Sequence, residues 1–293
     1  LRARISAGER ILDMHRELLK KNEVISETLD ELQRVYDSLD HDLMEAKKLQ
    51  QSLVRRRQKT FPTAELSLLL RSSGHVGGDL VGFYPSGQNH LGLFAIDVSG
   101  HGISSALMTA RLAGYLSASA PDQNVALERL GDGTYRSLPP AKVIEVLNDL
   151  VLDEMETEHY FTLLLADINL ANGEMVWAQV GHPFPAVQRA DGSVEQKGTG
   201  GFPVGLLPNV TFEQYEIQLN KGDRVLILSD GVTECPNSDG GMFGEDGLEE
   251  LMKDLADTKG AAFFDALIWN LTCFVESDDF PDDISGILFE FNG

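Results

Sequence analysis

Residues 91–108, LGLFAIDVSGHGISSALM, decide the fold. LGLFAI is an unbroken apolar run of strand length, the pattern of a strand covered on both faces. Asp97 arrives at its end. V-S-G-H-G follows, and its two glycines permit a tight turn and a close approach of backbone to a ligand. A helical pattern starts at Ile103. Asp97 lies too far upstream to be that helix's N-cap. A carboxylate is therefore held at a strand end above a helix start, a setting suited to a cation and a phosphate together.

Other carboxylates stand in similar settings. Asp79 follows Gly77 and Gly78. Asp230 ends the run RVLILS and precedes Gly231. Asp282 and Asp283 precede the run ISGILFEF. Each alone reads equally well as a turn residue. Together they sit where core strands meet turns, so they can converge on one cleft, and several carboxylates in one cleft repel unless a cation lies between them. His and Cys clusters with zinc spacing are absent. Oxygen donors suit Mg2+ or Mn2+. Two such ions about 3.5–4 Å apart can share a bridging water, lower its pKa and hold phosphoryl oxygens for in-line attack. The residues thus read as a two-metal site for phosphoester hydrolysis, with Asp79, Asp97 and Asp230 as its catalytic carboxylates. His101, by its place in the turn, and Arg71, just upstream of Gly77, are candidates to meet substrate. For both, a structural or solvent-exposed role is the plainer reading. His159 and His182 are further candidates for acid catalysis.

Other chemistries fail on spacing. A nucleophile elbow needs Gly where Asp97 and His101 stand. There is no G-x-x-x-x-G-K-[ST] loop, and the glycines of KGTGGFPVG do not open a helix, as a dinucleotide fingerprint requires.

Around these motifs the chain reads as mixed α and β. Strands are expected at 66–70, 91–98, 161–168, 175–180, 224–229 and 284–291. Asn172-Gly173 and Asp191-Gly192 are hairpin turns. Helices are expected at 103–119, 141–156, 247–257 and 261–276, the second opened by Pro139-Pro140. Residues 131–138 read as a surface loop. Hairpins with helices grouped between them indicate α+β layers.

The first sixty residues differ, with a single Gly and no Pro before Pro62. Apolar residues recur every seven positions: Ile11, Leu18, Ile25, Leu32, Leu39, Ala46, Leu53. The row four residues further on is mixed: His15, Asn22, Leu29, Tyr36, Leu43, Gln50. This is a coiled-coil pattern, and Asn22 at an a position favours a parallel pair. The helix would extend on the order of 65 Å, closed by Pro62. The expected division is 1–60 for a dimerisation helix and 61–293 for the globular domain.

The formal charge of −22 over 293 residues argues against nucleic acid and against an anionic membrane surface. Cys235 and Cys273 form no CxxC pair and read as reduced cytosolic thiols. No apolar run approaches the roughly 20 residues of a membrane span. LRARISAGER lacks the apolar centre of a secretion signal.

VGGD, DVSGHGISSALMTA, VGHPFPAV, GFPVGLLPN, SDGVTE and DDIS, in that order, resemble the PP2C-like serine phosphatases of bacterial stress and sporulation signalling, the SpoIIE/RsbU family. The resemblance runs from about Phe61 onward. It implies an α-β-β-α sandwich with two Mn2+ or Mg2+ ions at one end of the sheets. Asp79, Asp97, Asp230 and Asp282 are the implied ligands, Asp282 preferred over Asp283, with Asp97 bridging both ions and the Val98 carbonyl as a backbone ligand. The implied substrate is a phosphoserine or phosphothreonine on an anti-sigma-factor antagonist with a STAS fold. The chain departs from the family's GGDYYD pattern at Leu80, Val81 and Gly82, which removes a supporting acid. LRARISAGERILDMHREL is similar to the exit helix of response-regulator receiver domains. That similarity implies an upstream receiver domain, a parallel homodimer as transmission element and a cytoplasmic two-component setting. The competing readings are a catalytically inactive phosphoprotein-binding adaptor and a metal-dependent nucleotide phosphodiesterase.

Overall fold

The computed structural model describes residues 2–54, 57–100, 102–154 and 159–293. The chain divides into two compact units, Leu1–Lys47 and Lys48–Gly293.

The first unit belongs to one continuous helix, α1 (Arg2–Leu53). Ile11, Leu18, Ile25, Leu32 and Leu39 of the seven-residue row are each at least half exposed. The helix stops at Leu53, well before Pro62. β1 (Gln58–Phe61) pairs antiparallel with β2 (Ala64–Arg71), and Pro62 sits in the turn between them. The expectation that Pro62 closes the helix is corrected here: proline's fixed φ serves equally at the second position of a β-turn.

The second unit continues with β3 (Asp79–Gly87), β4 (His90–Val98), α2 (Ile103–Tyr115), β5 (Leu127–Arg129), β6 (Tyr135–Ser137), α3 (Pro140–Glu154), β7 (Phe161–Asn169) and β8 (Glu174–Val180). Then come β9 (Ala186–Gln188), β10 (Val194–Gln196), β11 (Gln214–Gln218), β12 (Arg224–Leu228), α4 (Asp230–Thr233), α5 (Gly244–Asp254), α6 (Gly260–Val275) and β13 (Ile284–Phe291). One sheet has the order β1-β2-β13-β12-β9-β10 and the other β11-β8-β7-β4-β3, all neighbours antiparallel.

Alternation along the strands builds the layers. In β13, Ile287, Phe289 and Phe291 point between the sheets, whereas Ile284 and Leu288 point outward to meet Phe263, Leu267 and Leu271 of α6. On the far side, Leu112 of α2 and Val143, Ile144 and Leu147 of α3 cover the second sheet. The result is an α-β-β-α sandwich in which β4, β7 and β13 have both faces covered. That explains the apolar stretches at their centres, Leu91–Ile96, Leu163–Ala166 and Ile287–Phe289. The stretch expected as a surface loop, 131–138, instead holds β6. Asp132 Oδ1 accepts hydrogen bonds from Thr134 N (2.9 Å) and Thr134 Oγ1 (2.6 Å), forming the turn that folds β6 back on β5.

One buried cation ties the helical layer to the sheet. Arg224, 5% exposed, donates to Gln188 Oε1 (2.5 Å) and to the carbonyls of Thr258 (2.9 Å), Met252 (3.1 Å) and Leu255 (3.0 Å). Its guanidinium lies 5.0 Å from the Phe263 ring centre. Positive charge at the carbonyl end of α5 is favourable, and the fork fills acceptors that burial would otherwise orphan. Arg224→Ala is expected to cost about 3–4 kcal/mol, lowering the thermal midpoint by roughly 8–12 °C. A melting curve displaced by less than about 2 °C would show that the network contributes nothing net.

Candidate metal centre

Antiparallel pairing brings heads and tails of strands to one edge. Asp79 opens β3 and Asp97 lies next to the end of β4, and the register sets them directly opposite each other. Like charges so placed are destabilising on their own. Asp230 opens α4 immediately after β12, and Asp282 and Asp283 immediately precede β13, the strand beside β12. Asp79 and Asp282 therefore stand at strand beginnings, and Asp97 and Asp230 where strands finish.

The carboxylates perturb one another. Asp79 is 2% exposed; burial first, then the charges of Asp97 and Asp283, hold it well above the usual carboxylate range, and nearby Ser229 and Ser285 offset this only in part. Asp97 is pushed up to about 7 by burial, then by Asp230, Asp282 and Asp283. Asp230 is raised by burial, then by Asp282 and Glu234. Among the described residues, Asp79 Oδ2 is buried with no hydrogen-bond partner. A hard cation at this edge would satisfy that oxygen and neutralise the cluster, so the donor set fits Mg2+ or Mn2+. No group of three or more His, Cys, Asp or Glu among the described residues closes round a single ion position. Mg2+ tolerates this, since it keeps several waters and takes one or two carboxylates.

The loop carrying Asp79 is gripped from three directions. Asp283 Oδ1 accepts from Ser73 N (2.8 Å) and Ser73 Oγ (3.1 Å), and its Oδ2 accepts from Asp79 N (3.3 Å). Thr109 of α2 donates to the Gly78 carbonyl at 2.8 Å. Gln50, buried in the last turns of α1, donates to the Gly77 carbonyl (2.6 Å) and accepts from Gly77 N (3.1 Å). Asp283 is thus occupied by loop donors, whereas Asp282 is exposed, its Oδ1 accepting from Asp283 N at 2.7 Å. Gln50, Thr109 and Ser73 were not singled out from the sequence. A polar residue interrupting the a row at position 50 was the only visible sign of the first.

Glycine is required by proximity. A Cβ at Gly77 would lie 1.7 Å from Asp283 Oδ2, and one at Gly78 would lie 2.5 Å from the Val98 carbonyl oxygen. Gly77→Ala is expected to displace the loop and weaken Mn2+ binding at least about tenfold, read by calorimetric titration. Unchanged affinity would mean that this loop does not hold the ion.

The departure at Gly82 also has a physical cause. It faces Phe94 across the β3–β4 ladder, and a Cβ there would lie 2.3 Å from the Phe94 ring. An acid cannot occupy that position without repacking the core.

The remaining candidates divide. Arg71 ends β2 opposite Ile284, close to the acidic pair. Its guanidinium donates to the Asp278 carbonyl (2.6 Å) and lies 4.7 Å from the Phe280 ring centre. His101 lies outside the described residues. His159 Nδ1 is 2.9 Å from the Ser99 carbonyl. His182 is corrected as an acid candidate: burial lowers its pKa to about 4 and its Nδ1 is 3.1 Å from the Pro183 carbonyl, so it is neutral near pH 7. Cys235 is buried in the layer under α5 and α6, and burial raises its thiol pKa.

Residues 87–292 match the family described as Stage II sporulation protein E (SpoIIE). The chain belongs to this SpoIIE family. Its similarity to "Phosphoserine phosphatase RsbP" of Bacillus subtilis (strain 168) is 25% identity over 249 residues, 81% of this chain and 57% of RsbP. With "Phosphoserine phosphatase RsbU" of the same organism it shares 23% identity over 253 residues, 85% of this chain and 71% of RsbU. The chain thus spans little more than half of the first relative's length. Among solved structures, the SiaA-PP2C domain of Pseudomonas aeruginosa superposes with a TM-score of 0.71 at 17% identity, covering 88% of this chain and 98% of that one. That likeness is one of fold, and it makes the sandwich of this SpoIIE-family chain a PP2C fold. No described helix is long and apolar enough to cross a membrane.

Proposed function

We propose that this chain is a metal-dependent serine/threonine phosphoprotein phosphatase of bacterial signalling, acting on an anti-sigma-factor antagonist with a STAS fold. The observation that carries the reading is the Asp79–Asp97 pair, facing carboxylates of which one keeps a buried oxygen without a donor. Asp79, Asp97, Asp230 and Asp282, with the Val98 carbonyl, would hold two Mn2+ or Mg2+ ions. Such ions, when bound, supply a water of low pKa and polarise the phosphoryl oxygens. Asp97, at the centre of the mutual repulsion, is the ligand the two ions would share. Asp283 positions the Asp79 loop. Arg71 and His101 are the side chains proposed to meet substrate, Arg71 after release from the Asp278 carbonyl.

The same proposal gives residues 61–293 the chemistry and residues 1–60 control. A parallel homodimer of α1, in the cytoplasm and below a receiver domain, would report to the metal loop through Gln50. What supports this is the exposed seven-residue apolar row and the two hydrogen bonds between Gln50 and Gly77.

The test is phosphate release from a serine-phosphorylated STAS-domain protein and from para-nitrophenyl phosphate, with Mn2+ and with a chelator. Turnover of both that the chelator abolishes is expected. Tight binding of the phosphoprotein with no release from either substrate would make the chain an adaptor instead.

A further inference from the structure

Residues 198–212, GTGGFPVGLLPNVTF, carry no charged side chain, in a chain of formal charge −22. Within this loop Phe202 is 58% exposed, Leu206 45% and Leu207 42%. Exposed apolar residues scattered singly need no explanation, but these share one short loop.

The loop is not slack. Asn148 of α3, 2% exposed, accepts from Gly205 N (2.9 Å) and donates to the Leu207 carbonyl (3.1 Å). Val204 is buried and exchanges backbone hydrogen bonds with Phe161 at 2.9 and 3.1 Å. Gly205 has φ 83°, and a Cβ there would lie 2.7 Å from Val151, so the backbone is seated hard against α3. A buried amide and a strand bridge therefore fix a loop whose apolar side chains face water, and ordering paid in advance favours association.

The loop also borders the acidic edge. Phe161 opens β7 beside β4, and its neighbour Thr162 stands opposite Asp97. Tyr160, 40% exposed, accepts from Ser99 N at 2.9 Å through its carbonyl, two residues beyond Asp97. The bridge from Val204 to Phe161 thus anchors the loop beside the strand end that carries Asp97.

Resting on the phosphatase reading, we propose that Phe202, Leu206 and Leu207, with Tyr160, form the seat for apolar side chains that flank the phosphoserine on the folded partner protein. A strongly acidic domain repels a phosphorylated partner at long range, and an uncharged seat supplies attraction at short range without adding to that repulsion. Small phosphate esters do not reach the seat.

The experiment uses the triple variant Phe202→Ser/Leu206→Ser/Leu207→Ser in the full chain, with the serine-phosphorylated STAS-domain protein and para-nitrophenyl phosphate as probes. Its unchanged melting temperature is checked first. The expected result is a kcat/KM lower by roughly 10- to 100-fold on the phosphoprotein, carried by KM, with para-nitrophenyl phosphate hydrolysis within about twofold of the parent. Equal treatment of both substrates would overturn the seat and leave the phosphatase reading standing. Calorimetric binding of the phosphoprotein to Asp97→Asn, with and without the triple change, decides the matter even if the parent releases no phosphate. A Kd raised at least about tenfold supports the seat, and an unchanged Kd rejects it. A variant that alters only the oligomeric state of this chain would make the rim a self-contact and would also reject the proposal.

Discussion

Asp97→Ala is expected to lower kcat on the phosphorylated STAS-domain protein and on para-nitrophenyl phosphate alike, by at least about 1,000-fold, roughly 4 kcal/mol of barrier. Two features set that scale. Asp97 stands opposite Asp79 in the β3–β4 ladder, and the charges of Asp230, Asp282 and Asp283 all act on it. Removing the carboxylate at the common point would deprive both proposed ions of a ligand. The loss should fall on both substrates because it concerns the chemistry and not the fit of a protein partner. Phosphate release measured at saturating Mn2+ checks it, and a variant that keeps more than a tenth of the parental rate would remove Asp97 from the shared position. The fold should survive, since the change relieves repulsion when no cation is present.

The second large effect is on stability. In the folded chain Asp97 takes up its proton near pH 7, against an ordinary carboxylate value of 3.8. Between those limits the folded protein binds more protons than the unfolded one, so stability falls as pH rises through this window and levels off above about 7. Asp79 and Asp230, also raised, act with the same sign. For Asp97 alone the loss is roughly 2–4 kcal/mol, allowing for its partial exposure. In chelator, melting temperature should therefore drop from pH 5 to pH 8 by on the order of 5–10 °C. Asp97→Asn should flatten the profile, which separates this effect from the general repulsion of an acidic chain. Mn2+ at about 100 times its Kd should restore roughly 2.7 kcal/mol per site, and more effectively at pH 8 than at pH 5, where protons compete. A melting temperature in chelator that is flat or rises from pH 5 to pH 8 would contradict this account of the cluster.

The sequence made the strands that are covered on both faces easy to read, because burial leaves a largely apolar stretch at their centres: β4, β7, β12 and β13 all lie within about two residues of their expected bounds. It did not reveal β3. DLVGFYPSG mixes Gly, Pro and Ser into the strand, and what holds it is pairing with β4, where Gly82 leaves room for Phe94 and Tyr84 packs over Gly92. The short strands β9, β10 and β11 were hidden for another reason: three to five residues carry too little periodicity, although the Asp191-Gly192 turn between β9 and β10 was legible. At the site, the carboxylates were legible because turn glycines surround them. Their division of labour came only from the family resemblance, which preferred Asp282 over Asp283, and not from the residues themselves. Asp282 and Asp283 are adjacent and chemically identical, and only the fold shows that Asp283 is turned inward to Ser73 and Asp79 N. Gln50 was invisible as a loop partner because its contact lies 27 positions away.

The place of β13 has a consequence for how the protein comes into being. This strand lies between β2 and β12, with every residue buried, and Ile284 pairs with Arg71 across more than two hundred positions. A growing chain halted anywhere before residue 283 has a gap through the middle of one sheet and no Asp283 to gather the Asp79 loop. Translation must therefore pass this point, and the segment must clear the ribosomal tunnel, before the proposed metal centre is complete. The long separation makes closure slow relative to the helices and hairpins. Until then the half-made domain is a sheet with open flanks, and it is at this stage that a chaperone would have its greatest influence on yield.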